Sequence, residues 1–272
     1  MKTSFLCILG LFVLTACKNE KKEIPLSEAP ITEAPVTEET QDDARSYPIA
    51  LSHVFKAHGG MDRWEQMNNL CFELNGSGET EVHTVDLNER HTKIETKTWT
   101  IGYDGDAVWL LENKKDSYKG NARFYHNLMF YFYAMPFVLG DDGIVYTEME
   151  PTILDGVSYG TLKIGYEAGV GDSPDDEYML YYDTDTYRMV WLGYTVTYGE
   201  GEKSDDWHFI KYDDWQTVNG VDLPKKLTWY HVENGTPTNE RNDLKFEKVT
   251  LTETKLEASV FDKPEGAVVV TQ

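Results

Sequence analysis

Apolar and polar positions along this chain change period twice. Leu51, Val54, Phe55 and His58 fall at i, i+3, i+4 and i+7, the stripe of an amphipathic helix. Ser46 is placed to cap that helix and Pro48 to start it, and Gly59-Gly60 ends it. Asp62 can cap a second short turn carrying Trp64 and Met67. From Leu70 the pattern shortens to strand-like runs rich in Thr, Tyr, Val and Trp, at 70–74, 80–87, 92–102 and 107–112. After a break they resume at 144–149, 157–167, 177–183, 188–198, 207–216, 223–232 and 238–251. Asp104-Gly105, Asp155-Gly156, Asn219-Gly220 and Asn234-Gly235 punctuate them as hairpin turns. Serial strands joined by tight turns predict a mainly β (α+β) fold, an antiparallel meander closed or half-open as a barrel.

The break, 121–139, is apolar on every side: Phe124, Tyr125, Leu128, Met129, Phe130, Tyr131, Phe132, Tyr133, Met135 and Phe137, with Pro136 near its end. If helical, such a segment is buried nearly all round. A helix on the concave face of a curved sheet satisfies that. The segment either fills the core or lines a hydrophobic cavity, and Phe124, Leu128, Tyr131, Phe132 and Met135 are the candidate ligand-binding residues.

The N-terminus has a different character. Lys2 and an apolar run from Phe5 to Val13 precede Leu14-Thr15-Ala16-Cys17. The run is shorter than the ~20 residues a membrane span requires, and its layout is that of a secretory signal. The last four residues resemble a bacterial lipobox. This implies a signal peptide over 1–16 and lipid on Cys17, with two or more chains giving stable membrane attachment. Lys18, rather than Asp, after the cysteine leans the resemblance toward the outer membrane of a Gram-negative bacterium. Residues 17–46 read as a disordered acidic tether with a small repeat, Glu28-Ala29-Pro30-Ile31-Thr32 and Glu33-Ala34-Pro35-Val36-Thr37. As a coil it spans roughly 30 Å, enough to hold one domain, 47–272, off the headgroups.

The formal net charge of −22, one unit more negative once Lys2 leaves with the signal, repels nucleic acid and anionic headgroups. Neither is an expected partner of the folded domain. Cys7 leaves with the signal and Cys17 takes lipid, so Cys71 has no disulfide partner and reads as a small buried hydrophobe.

Chemistry-bearing motifs are weak. Gly156-Val157-Ser158-Tyr159-Gly160 matches the nucleophile elbow, but a turn precedes it and a strand follows, where the elbow needs strand then helix. His53 and His58 are five apart, off the i, i+4 spacing of helical zinc ligands. His53 reads as helix surface and His58 as a contact at the negative end of the helix dipole. Asp172, Asp175, Asp176 and Glu177 could hold calcium but lack the EF-hand alternation and read as a solvated loop. Carboxylate pairs that could hydrolyse glycosides are available anywhere in so acidic a chain and single out no residue. We expect no catalytic residue, cofactor or metal.

Three pieces carry a family resemblance: Lys56-Ala57-His58-Gly59-Gly60 with Trp64, Tyr103-Asp104-Gly105 with Val108-Trp109, and Val218-Asn219-Gly220-Val221 with Leu223-Pro224. Together they resemble an uncharacterised family of Bacteroidota lipoproteins related to the lipoprotein-carrier and outer-membrane-receptor (LolA/LolB-like) superfamily. The resemblance implies a half-open antiparallel barrel, lidded by helices, whose concave face takes acyl chains, and it carries over no catalytic residue. The expectation is a membrane-anchored envelope lipoprotein binding a hydrophobic or amphiphilic ligand. The alternatives are a structural or partner-binding protein with a plugged core and, third, a hydrolase. Oligomeric state and membrane face stay open.

Overall fold

The computed structural model describes residues 46–271 apart from 76, 77, 170 and 172. The predicted signal, Cys17 and all but the last tether residue lie outside them. The residues from Arg45 on make one compact unit. It opens with α1 (Ile49–Ala57) and α2 (Met61–Glu65), then runs through β1 (Asn69–Asn75), β2 (Glu81–Asp86), β3 (Thr92–Glu95), β4 (Trp99–Tyr103) and β5 (Val108–Glu112). A crossover follows, made of α3 (Ala122–Tyr125), α4 (Leu128–Tyr133) and a 3₁₀ turn (Phe137–Gly140). The return is β6 (Ile144–Leu154), β7 (Val157–Tyr166), β8 (Tyr178–Tyr182), β9 (Met189–Tyr194), β10 (His208–Val218), β11 (Val221–Glu233), β12 (Thr236–Thr252) and β13 (Val268–Val269).

All the strands join one antiparallel sheet in the order β13-β5-β4-β3-β2-β1-β12-β11-β10-β9-β8-β7-β6. Nearly every neighbour in space is a neighbour in sequence, as hairpin punctuation dictates. The exceptions are β1, which pairs with β12, and β13, which pairs with β5. Edges β13 and β6 do not meet in the ladder, so the sheet is a curved half-barrel, not a closed one. Asp155-Gly156, Asn219-Gly220 and Asn234-Gly235 have positive φ at both residues, the geometry a two-residue hairpin turn requires.

Several boundaries differ from the sequence expectation. The run 92–102 is two strands. Thr96 Oγ1 accepts the backbone N–H groups of Thr98 and Trp99 at 3.2 and 3.0 Å, turning the chain with no Gly or Pro to announce it. The run 188–198 stops pairing at Tyr194, and β13 has no sequence signal. Helix α1 is started by Pro48, whose carbonyl accepts from Ser52 N at 3.0 Å, without a side-chain cap from Ser46. Gly60, not Asp62, caps α2. The aromatic segment is not one helix: Asn121 caps α3 through Phe124 N at 3.2 Å, and the backbone breaks again before Leu128 and at Pro136.

The main core lies between the inner face of the sheet and the helices. Leu70, Phe72 and Leu74 of β1, Leu192 and Tyr194 of β9, Ile210 and Tyr212 of β10, and Phe246 of β12 meet α1, α4 and the 3₁₀ turn there. A smaller cluster, Trp191 with Tyr159, Tyr181 and Phe209, covers the other face of the central strands. Two glycines make room for cross-strand rings. A Cβ on Gly102 would lie 2.2 Å from Trp109, and one on Gly160 would lie 2.3 Å from Tyr182. Gly160 therefore belongs to strand packing, and Ser158 beside it faces Ile153 on β6 instead of topping an elbow. Among the described residues no helix is long and apolar enough to cross a membrane.

Candidate functional site

The family motifs converge structurally. A Cβ on Gly59 would sit 2.4 Å from Gly220 O, so the glycine pair ending α1 lets the β10–β11 hairpin seat directly on it. Asp222 N donates to His58 O at 2.8 Å. Arg63 reaches Asn219 O at 2.7 Å, Asn219 Oδ1 at 2.5 Å and Glu253 at 2.7 Å. Beneath this joint His58 is fully buried, its Nδ1 2.8 Å from Val54 O and its ring against Trp215. Burial holds its pKa at about 4. His58 is thus the helix-end contact expected of it, made as the C-cap of α1 by a neutral, enclosed imidazole. Arg188 adds a charged contact there, reaching Ala57 O at 3.2 Å and Asp222 at 2.9 Å. This joint is structural: it fixes α1 and α2 over the sheet.

The crossover then divides. Its second half is sealed. Phe132 is buried against Tyr194 and Trp229, Tyr133 stacks on Phe246 at 4.0 Å, and Met135, Phe137, Val138 and Leu139 are fully buried. Carbonyls freed by the broken helices are taken by tyrosine hydroxyls: Tyr212 to Phe132 O at 2.8 Å, Tyr146 to Leu139 O at 2.6 Å and Tyr47 to Gly140 O at 3.2 Å. Phe132 and Met135, two of the predicted ligand-binding residues, are therefore core. Their side chains are buried in the main core cluster.

The first half borders a cavity of about 440 Å³ lined by Phe124, Leu128 and Tyr131, the other three predicted residues. The opposite walls come from five other segments: Arg90 after β2, Tyr103 on β4, Tyr166 on β7, Tyr178 on β8, and Tyr198 after β9. The hydroxyls of Tyr131 and Tyr166 are hydrogen-bonded to each other. Burial drives the Tyr131, Tyr166 and Tyr178 hydroxyls well above the usual phenol range, which keeps them neutral donors and acceptors.

Charged groups rim the same space. Arg90, at a positive φ of 61°, donates to Asp141 at 2.5 Å and lies over the Phe130 ring. It ties the β2–β3 turn to the loop before β6. Arg123, His126 and Asp142 also line the cavity and have contacts of their own. Asp176 Oδ1 accepts from Thr197 N at 2.6 Å and Thr197 Oγ1 at 2.7 Å. Its neighbour Glu177 is gripped by Lys163 at 2.8 Å and Lys203 at 2.6 Å. The acidic stretch read as a solvated loop is thus half built into the sheet. Among the described residues, no group of three or more His, Cys, Asp or Glu side chains is placed to hold a metal.

The sequence reading missed Arg90, Tyr103, Tyr166, Tyr178, Asp176 and Tyr198 because they are far apart in the chain and only the topology gathers them. Tyr166 and Tyr178 had a usable signal. They close and open consecutive strands, flanking the one long loop of that hairpin.

Residues 100–239, just over half of the chain, match the model of a family of unknown function, DUF6503. No curated protein matches the chain. Among solved structures it is similar to a LolA superfamily protein from Nitrosomonas europaea, at 10% identity over 79% of this chain and 99% of that one, with a TM-score of 0.48. It is also similar to a DUF1329 family protein from Desulfovibrio piger, at 12% identity over 78% of this chain and 95% of that one, TM-score 0.46. A third is the lipoprotein LppX of Mycobacterium tuberculosis, at 13% identity over 56% of this chain and 91% of that one, TM-score 0.26.

Proposed function

The chain belongs to the DUF6503 family of unknown function, and we propose that it is a non-catalytic envelope lipoprotein that binds one small amphiphile. The observation that carries the reading is the cavity at the outer end of the crossover. Its volume, about 440 Å³, is that of a pocket for a single small molecule, too little for the several acyl chains of a lipoprotein anchor. Its lining fits an amphiphile better than a bare acyl chain. Phe124 and Leu128 are its apolar part, and tyrosines and charged side chains make up most of the rest. The plugged-core alternative describes the other half of the crossover, where Phe132 to Leu139 leave no room for a ligand. The two readings thus apply to different parts of one concave face.

Lipid on Cys17 would hold the domain at a membrane, the outer one by the Lys18 criterion, with the tether setting its reach. Native mass spectrometry of the protein purified from its own envelope tests both halves of the proposal. The expected spectrum shows a lipid-modified N-terminus and one non-covalent adduct per chain. Cys17→Ala should remove the first and keep the second. A bare chain with an unmodified cysteine would reject the anchor, and the absence of any adduct from freshly extracted protein would count against the ligand.

A further inference from the structure

Among the described charged groups around the cavity, Asp176 is the one with no ion-pair partner. Arg90 is engaged by Asp141, and Arg123, His126 and Asp142 have partners. The half-buried Asp176 carboxylate uses Oδ1 for Thr197 alone. Among the described residues no Lys, Arg or His lies in ion-pair distance of it, and the charges that act on it, Asp175 and Glu200, are themselves acidic. A carboxylate withdrawn from water without a cation is costly, and here burial, with those neighbours, raises its pKa from the ordinary Asp value.

The surroundings supply the rest of a cation site. Tyr178, two residues along, lies close enough to feel the Asp176 charge. Tyr198, next to the Thr197 that grips the carboxylate, packs on Phe124 with ring centroids 5.0 Å apart. All three rings line the same cavity as Asp176. Aromatic faces beside a carboxylate are the combination that attracts ammonium groups, and the net charge of −22 draws organic cations toward the protein while opposing fatty acids and phosphorylated headgroups.

We propose that the cavity selects cationic amphiphiles, with an alkylammonium head between Asp176 and the rings of Tyr178, Tyr198 and Phe124 and the tail along Leu128. The assignment rests on the ligand-binding reading above and narrows it to one charge class.

Calorimetric titration of the full chain carrying Cys17→Ala with decyltrimethylammonium, decanoate and decyl maltoside, each below its micelle concentration, separates the two. The ammonium compound should bind at least about tenfold tighter than decanoate, the preference expected of a carboxylate and aromatic faces around a quaternary ammonium head. Asp176→Asn keeps the side-chain shape and an acceptor for Thr197. It should abolish most of that preference while leaving decyl maltoside unchanged, which also sets the site apart from diffuse attraction to an acidic surface. Tyr198→Leu, at a half-buried position, should weaken the ammonium compound more than the maltoside. Decanoate binding as tightly as the ammonium compound, or a preference that survives Asp176→Asn, overturns the cation assignment and leaves the amphiphile reading standing. If none of the three binds, both fall.

Discussion

From Phe124 to Tyr131 and from Phe132 to Leu139 the crossover is comparably aromatic, yet the second stretch is sealed and the first borders a cavity. The difference lies in what each faces. In the second, Phe132 and Tyr133 interdigitate with rings on the inner face of the sheet, and Phe137 stacks between Phe55 of α1 and Trp64 of α2, all at core density. The first faces mostly irregular chain, the β2–β3 turn with Arg90, the loop before β6 with Asp141 and the β7–β8 loop with Ser173 and Asp176, and meets the sheet only at the strand ends Tyr103, Tyr166 and Tyr178. Loops bring polar groups that cannot close-pack on an aromatic helix, so space is left. Apolar composition thus says that a segment is covered, and the identity of its neighbours decides between core and pocket.

Truncation breaks this comparison most directly. Phe132→Ala should cost about 3–5 kcal/mol, the range for a large aromatic removed from a closed core. Leu128→Ala should cost no more than about 1.5 kcal/mol, because one side of Leu128 already lacks protein contacts. Urea unfolding of both variants checks the pair, and similar losses would mean that the cavity is in fact packed.

Beneath the joint of α1 with the β10–β11 hairpin lies a buried titratable group, His58. The unfolded chain takes up this proton near pH 6.5 and the folded one only near 4. Stability is therefore full above the first value and falls as the pH drops toward the second, by about 3 kcal/mol in all. His58→Gln, which cannot titrate, should lose about that much less than the wild type between pH 7 and pH 4 in denaturant melts. Equal losses would place the acid-sensitive group elsewhere.

The sheet was legible because its signals are local. Alternating runs and Asn-Gly or Asp-Gly pairs set the hairpins, and serial hairpins leave little choice of strand order. The turn at Thr96 escaped notice because a threonine hydroxyl does there what glycine does elsewhere. The broken crossover escaped because all-round hydrophobicity is blind to helix continuity. Of the predicted pocket residues, Phe124, Leu128 and Tyr131 lie on the cavity while Phe132 and Met135 do not, a split set by which strands or loops face each turn. Asp176 was noticed only as part of an acidic run. Its role depends on Thr197, twenty-one residues away, and on a lysine pair that holds Glu177 but not its neighbour.

Filling the cavity from within puts the account to its most direct test. A titration of N-phenylnaphthylamine fluorescence should show one probe bound per wild-type chain. Leu128→Trp, whose larger ring occupies the space, should abolish the signal with the melting midpoint held. Undiminished uptake by the folded Leu128→Trp variant, or no uptake by the wild type, would contradict the claim that this half of the crossover is a binding surface.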